Sequence, residues 1–274
     1  MQRRTKIVAT LGPATDDLEV LTDMCRAGLD VARVNFSHGQ HADHLRRIEL
    51  LREAGRRTGR EVAVLCDLAG PKIRIESFVE GKVQLVDGAP FTLDTALDPA
   101  AGTVEAVGVA YKELTADVAA GDTLLLNDGL IVLTVDAVRG EQVHTTVKVG
   151  GELSNNKGIN KQGGGLTAPA LTGKDMEDIK TAMSFRCDYL AVSFPKNATD
   201  MEMARQLANV AGEPYRHKPC MIAKIERSEA IPHLESILKA SDGIMVARGD
   251  LAVEVGAAAV PALQKKMKIG RAHV

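Results

Sequence analysis

Two rhythms of apolar and polar positions run along this chain. In its first quarter, short apolar runs alternate with stretches whose apolar residues recur at helical spacing. Residues 7–11, 31–36 and 61–67 read as strands. Between them a helix is predicted over 16–27, with Asp16 as N-cap, Glu19 three residues on and Gly28 as C-cap. A second helix is predicted over 42–58, with Leu45, Ile48 and Leu51 as its apolar stripe. A βαβαβ order with short connections predicts a parallel sheet, open or closed into a barrel.

The rhythm changes after Pro71. Residues 83–85, 123–126, 131–135 and 143–149 are β-like runs, and Asp87-Gly88, Asp128-Gly129 and Arg139-Gly140 punctuate them. No long helix is predicted between 74 and 165, so this stretch reads as a small all-β domain inserted into the first. Gly163-Gly164-Gly165 is expected to be a hinge on the way back. The first rhythm then resumes, with helices over 175–183, 200–211 and 233–240 leading into strands over 189–194, 220–225 and 243–247. A (β/α)8 barrel takes about 250 residues without an insertion, so this chain falls short of one by about two βα units. The expected fold is therefore α/β: an incomplete TIM (β/α)8 barrel in two parts, 1–72 and 167–268, around an all-β domain at 73–166.

Composition excludes several classes of function. The chain has 274 residues, 45 % apolar and 26 % charged, no Trp and a net charge of −2. Lys and Arg are scattered, which argues against nucleic acid or a membrane surface as partner. The cluster Arg56, Arg57 and Arg60 reads as a solvated helix end. Cys25, Cys66, Cys187 and Cys220 form no CxxC pattern and are expected to be reduced core thiols of a cytoplasmic protein. The N-terminus carries no signal-peptide core, and no apolar stretch is long enough to span a bilayer.

Polar residues gather at the predicted C-terminal strand ends, where barrel enzymes place their chemistry. Period-2 alternation puts Arg33, Asn35 and Ser37 on one face of the second strand, and Lys224 and Glu226 on one face of the fifth. Asp67 ends the third strand, and Asp250 lies just past the sixth. Glu226 and Asp250 converging from adjacent strands would make a hard oxygen site suited to magnesium. Lys224 and Arg33 beside it would offset the charge of a phosphoryl group in transfer. Each motif alone has a plain structural reading: Lys-x-Glu as a salt-bridged rim, Arg248-Gly249-Asp250 as a turn, His38 as a helix-start residue. Their joint occurrence in order at strand ends points to a magnesium-dependent barrel enzyme that handles phosphate or carboxylate.

The same residues carry a family likeness. Residues 4–13 (RTKIVATLGP), 32–39 (ARVNFSHG), 70–74 (GPKIR), 154–160 (SNNKGIN), 189–195, 223–226 (AKIE) and 245–254 resemble the pyruvate kinases, over residues 3 to 268. That resemblance implies phosphoryl transfer from phosphoenolpyruvate to ADP in glycolysis, giving pyruvate and ATP. It implies that Glu226 and Asp250 bind Mg2+, and that Lys224 and Arg33 contact the moving phosphoryl group. It places the substrate carboxylate on the backbone of Ala247, Arg248 and Gly249. Arg33, His38, Arg74, Lys157 and Asp128 would line the nucleotide side, with the all-β domain closing as a lid. Asn35, Ser37, Asp67 and Leu68 correspond to the family's potassium ligands. Lys72 stands where potassium-dependent members have Glu, so its ammonium is expected to replace the ion and make K+ unnecessary. A homotetramer is expected for the full-length protein.

The chain departs from the family pattern at Asn127, at Lys161-Gln162 and at Ala252. It also departs at 269–274, where the helical pattern is expected to stop at Lys268. Read back into codons, those six residues match the start of a sequencing adapter and are expected to be a non-native tail. The chain as given would then lack two barrel units and a further domain, and is expected to be poorly stable and inactive. Two alternatives stay open: a magnesium-enolate barrel lyase, and a non-catalytic truncated chain that binds ligand or partners.

Overall fold

The computed structural model describes residues 4–271. Its elements run β1 (Val8–Thr10), α1 (Leu18–Ala27), β2 (Val31–Asn35), α2 (His41–Thr58) and β3 (Ala63–Asp67). Then come β4 (Lys82–Leu85), β5 (Pro90–Asp94), β6 (Ala106–Gly108), α3 (Leu114–Asp117), β7 (Thr123–Leu126), β8 (Ile131–Arg139), β9 (Gln142–Val149), β10 (Gly151–Ser154) and β11 (Ile159–Lys161). The last group is α4 (Gly173–Ser184), β12 (Tyr189–Val192), α5 (Ala198–Gly212), β13 (Cys220–Ile225), α6 (Leu234–Ala240), β14 (Gly243–Val246), α7 (Arg248–Val255) and α8 (Val260–Arg271).

Strands β1-β2-β3-β12-β13-β14 form one six-stranded sheet in sequence order, and every pairing in it is parallel. That is the order of six successive units of a (β/α)8 barrel. The sheet is open: β1 and β14 are edges, and Ile7 and Val8 beside the β1 edge are exposed. One face of the sheet packs on the helices. Val34, Cys66, Leu190, Met221 and Ala223 meet Leu21, Ile48, Ile179 and Ile237 in a single core. Each fully buried Leu or Ile there contributes roughly 1.5–3 kcal/mol.

Strands β4 to β11 form two further sheets, β10-β4 and β11-β7-β8-β9-β5-β6. Pairing is antiparallel except between β5 and β6. Alternation is strict: Ile131, Leu133 and Val135 are buried while Val132 and Thr134 are not. These strands close over a separate apolar core that includes Phe91, Leu93, Leu124, Leu126 and Val143.

Several local expectations need correction. Helix α1 begins at Leu18, and its N-cap is Asp17, whose Oδ1 accepts from the N–H groups of Glu19 (2.8 Å) and Val20 (3.1 Å). Asp16 is not the cap because Arg47 takes both its carboxylate oxygens, at 2.5 and 2.9 Å. In α2 the buried stripe runs His44, Ile48, Leu51 rather than through Leu45, which is 37 % exposed. The His44 ring fills that core position edge-on to Phe36, with centroids 5.0 Å apart. Cys25, Cys66 and Cys187 are buried, but Cys220, which opens β13, is exposed. Helix α8 does not stop at Lys268 and continues to Arg271, since Ile269 and Arg271 are ordinary helix formers. Strands β5, β6, β10 and β11 are not among the sequence-predicted runs. Each has only three to five residues and too few alternating positions to stand out.

Candidate active site

Four neighbouring parallel strands, β2, β3, β12 and β13, end on the same side and deliver Arg33, Asp67, Ser193 and Lys224 there. On β2, Arg33 and Asn35 share the half-buried face, while Ala32 and Val34 turn to the helices. Asn35 lies beside Asp67 in the β2–β3 register. Arg33 donates from Nε (2.8 Å) and Nη2 (2.5 Å) to Asp67 Oδ2, and from Nη1 to Thr10 Oγ1 (2.8 Å).

Lys224 is the centre of the group. It is 8 % exposed, and its ammonium lies 2.7 Å from Ser193 Oγ, 3.0 Å from Glu226 Oε1 and 3.2 Å from Asp67 Oδ1. Ser193 in turn donates to the Leu68 carbonyl (2.7 Å). The backbone N–H of Phe194 donates to Glu226 Oε2 (3.0 Å). The 68–71 loop reaches this position because residue 70 is glycine. At its φ of +68°, a Cβ there would sit 2.7 Å from the Ser193 side chain.

Burial works against a charged Lys224, but Glu226 and Asp67 outweigh it and hold the ammonium above its usual pKa. Burial pushes Glu226 up; Lys224 pulls it back, and the charge of Asp250 pushes it up again. A cation placed between Glu226 and Asp250 would relieve that repulsion. Among the described residues no third carboxylate, His or Cys joins them. The donor set therefore fits a hard divalent ion held by one or two carboxylates, with its other positions left for water and ligand oxygens.

Asp250 lies in the first turn of α7, which starts directly after β14 with Ala247 at its N-cap. The first N–H groups of a helix lack intrahelical partners, and the helix dipole favours an anion there. Ala247, Arg248 and Gly249 supply that end. Lys72 Nζ stands 3.5 Å from Asp250 Oδ1 and 3.9 Å from Asp128 Oδ1. Asp128 sits in the β7–β8 turn, where Asn127 and Asp128 are both left-handed, with φ of 51° and 57°.

The structure thus brings Arg33, Asp67, Lys224 and Glu226 together, with Asp250 close enough to act on Glu226, and joins Lys72 to Asp250 and Asp128. The remaining candidates lie on surrounding loops. Asn35 Oδ1 accepts from the Ser37 N–H (3.1 Å), and the exposed His38 donates its N–H to the Asn35 carbonyl (3.3 Å). Arg74 bonds the Asn156 carbonyl (2.8 Å), and Lys157 precedes β11. Sequence reasoning did not single out Ser193 and the Phe194 N–H. The strand-end rule that found Lys224 would have found Ser193, one residue past β12.

An open parallel βα sheet with charged residues gathered at its C-terminal strand ends is the arrangement on which (β/α)8-barrel proteins place their sites. The family described as "Pyruvate kinase, barrel domain" matches residues 2–273, and the chain belongs to it. It is 52 % identical to pyruvate kinase II of Salmonella typhimurium and 49 % identical to the pyruvate kinase of Haemophilus influenzae, in each case over 97 % of this chain and 55 % of the relative. It is 45 % identical to the pyruvate kinase of Mycobacterium intracellulare, over the same shares. The chain spans about half the length of the curated relatives it matches. Among the described residues no helix is long and apolar enough to cross a membrane.

Proposed function

We propose that this chain carries the phosphoryl-transfer site of a pyruvate kinase, converting phosphoenolpyruvate and ADP to pyruvate and ATP in the glycolysis of the cytoplasm. The observation that carries the reading is the buried Lys224, held between Asp67 and Glu226 beside Asp250 at the strand ends. Glu226 and Asp250 would hold Mg2+, which when bound supplies charge neutralisation for the phosphoryl and enolate oxygens. Lys224 and Arg33 present fixed positive charge to the moving phosphoryl group, and Asp67 keeps both side chains in place. The α7 N-terminus (Ala247, Arg248, Gly249) accepts the substrate carboxylate.

Residues 73–166 form a separate domain between barrel parts 1–72 and 167–268, and act as a lid. Their separate core supports this division, and so does the reach of Asp128 toward Lys72. His38, Arg74, Lys157 and Asp128 then face the nucleotide, and closure excludes water that would otherwise accept the phosphoryl group. The potassium-equivalent oxygens of Asp67 and Leu68 already receive donors from Arg33 and Ser193. With Lys72, Lys224 and Arg33 providing cations, turnover needs no K+. The full-length protein is a homotetramer.

The test is an assay of the longest chain the gene encodes, with phosphoenolpyruvate, ADP and Mg2+. ADP-dependent pyruvate release is expected. Turnover of pyruvate aldol products without ADP would replace this reading with a lyase, and ligand binding without turnover would replace it with a binding role. In the same assay, a rate rise of about tenfold or more on adding potassium would overturn the role given to Lys72.

A further inference from the structure

The strands β4 to β11 return to the parallel sheet through residues 162–172, and the three glycines there look like a loose hinge. All three have left-handed φ values, of 80°, 83° and 98°. The middle one is nonetheless tightly enclosed, while Gly163 and Gly165 have room around them. A Cβ on Gly164 would collide with Ser228 Oγ and meet Glu229 Cδ at 2.6 Å. The Gly165 N–H donates to Glu229 Oε1 (2.6 Å), and the Gly163 N–H to the Glu254 carbonyl (3.4 Å).

Glu254 is the knot. Its side chain lies near the end of α7, the helix that begins beside Asp250, and it is 8 % exposed. Oε2 accepts from the Ser228 N–H (2.8 Å) and Ser228 Oγ (3.1 Å). Oε1 accepts from Asn160 Nδ2 (3.3 Å). Ser228 follows Glu226 by two residues, and Asn160 belongs to β11. One buried carboxylate therefore joins the segment carrying Glu226, the helix carrying Asp250 and the strand nearest the nucleotide-side residues. The lever is short. Ile159 pairs with Leu126, immediately before the turn that carries Asp128, and Lys157 lies three residues before Asn160.

We propose that Glu254 is a positioning residue, which through Asn160 and Ser228 sets how the β4–β11 region stands over the strand-end carboxylates, while Glu229 holds the returning glycines. The proposal rests on the phosphoryl-transfer reading for its consequence, but not for its contacts. Losing the clasp displaces Lys157 and Asp128 more than Glu226 or Lys224. The defect should therefore fall on the nucleotide.

The test compares Glu254→Ala, Glu254→Gln and Asn160→Ala with the parent, in the longest chain the gene encodes. Hydrogen exchange at the Ser228 amide, whose N–H donates to the Glu254 side chain, should quicken in Glu254→Ala, and at the β11 amides in both Glu254→Ala and Asn160→Ala, while the amides of β12 and β13 stay protected. KM for ADP should rise about tenfold, with KM for phosphoenolpyruvate within about twofold. Glu254→Gln, which keeps an oxygen acceptor for the Ser228 N–H, should recover part of both effects. Unchanged exchange in β11, or a fall in kcat with both KM values unaltered, overturns the proposal. If Glu254→Ala does not fold, Asn160→Ala removes the same contact from the other side and decides the matter. A parent without ADP-dependent turnover would sink the phosphoryl-transfer reading, while the exchange measurement would still decide the clasp.

Discussion

The parallel sheet with its helices and the β4–β11 strands bury different kinds of group. In the β4–β11 region the buried polar side chains are Thr95 and Thr145, two hydroxyls that bond nearby carbonyls. In the parallel region they include His44, Asp67, Asp175, Lys224, Glu226, Arg227 and Glu254. Burying an ion costs several kcal/mol unless partners replace its water, so a fold that buries several in one region is holding them for a purpose. The contrast supports the proposal that the chemistry belongs to the strand ends of the parallel sheet, where Asp67, Lys224 and Glu226 meet. The antiparallel region, with its ordinary apolar core, presents exposed groups such as Asp128 to that site.

The largest effect should come from removing the cation at the centre of the charged group. Lys224→Met keeps most of the volume but leaves Asp67 and Glu226 facing each other without an ammonium. It should lose about 3–5 kcal/mol in denaturant unfolding and at least about 10³-fold in phosphoryl transfer. A variant with near-parental stability and turnover would end the idea that this group is the site.

Phe91→Ala probes the other region. Phe91 is 1 % exposed at the centre of the antiparallel core, and its truncation should cost about 3–5 kcal/mol. If the two regions are separate cooperative units, faster hydrogen exchange will be confined to β4–β11 and the parallel strands will keep their protection. Equal loss in both regions would show that the two cores unfold as one and would dissolve the comparison.

The two regions also differed in how much their residues disclosed beforehand. Apolar runs such as 220–225, bounded by helical stretches, fixed β13 to the residue, and strand-end position singled out Lys224 and Glu226. The capping pattern erred by one residue because Asp16 and Asp17 offer the same side chain. Only tertiary structure, in the form of Arg47, decides which one is free to cap. His44 broke the apolar stripe of α2 because a polar letter stood in a core slot. A short strand such as β11 owes its existence to pairing with β7, far back along the chain, which no local period can register. The clasp at Glu254 was invisible for the same reason: Asn160 and Ser228 become its neighbours only after the chain has returned.

A last, smaller effect sharpens the distinction between buried and surface charge. Asp16 and Arg47 make a bidentate pair outside the charged group, with side chains 28 % and 11 % exposed. The hydrogen bond from Arg47 holds the Asp16 carboxyl below its ordinary 3.8, and the charges of Arg47 and Arg46 help against a modest cost of desolvation. The folded state therefore binds this proton less readily than the unfolded state. Above pH 3.8 both states are ionised and the pair contributes in full; the contribution is lost as pH falls through the lowered folded value. For a pair partly open to solvent it should be no more than about 1 kcal/mol. The stability difference between the parent and Asp16→Asn should thus be flat near neutrality and shrink toward zero in strong acid, when followed by denaturant unfolding across pH. A difference that grew on acidification would reverse the sign and remove the pair as a source of stability. A difference as large as that of Lys224→Met would mean that burial, the basis of the contrast between the two regions, does not decide what a charge is worth in this fold.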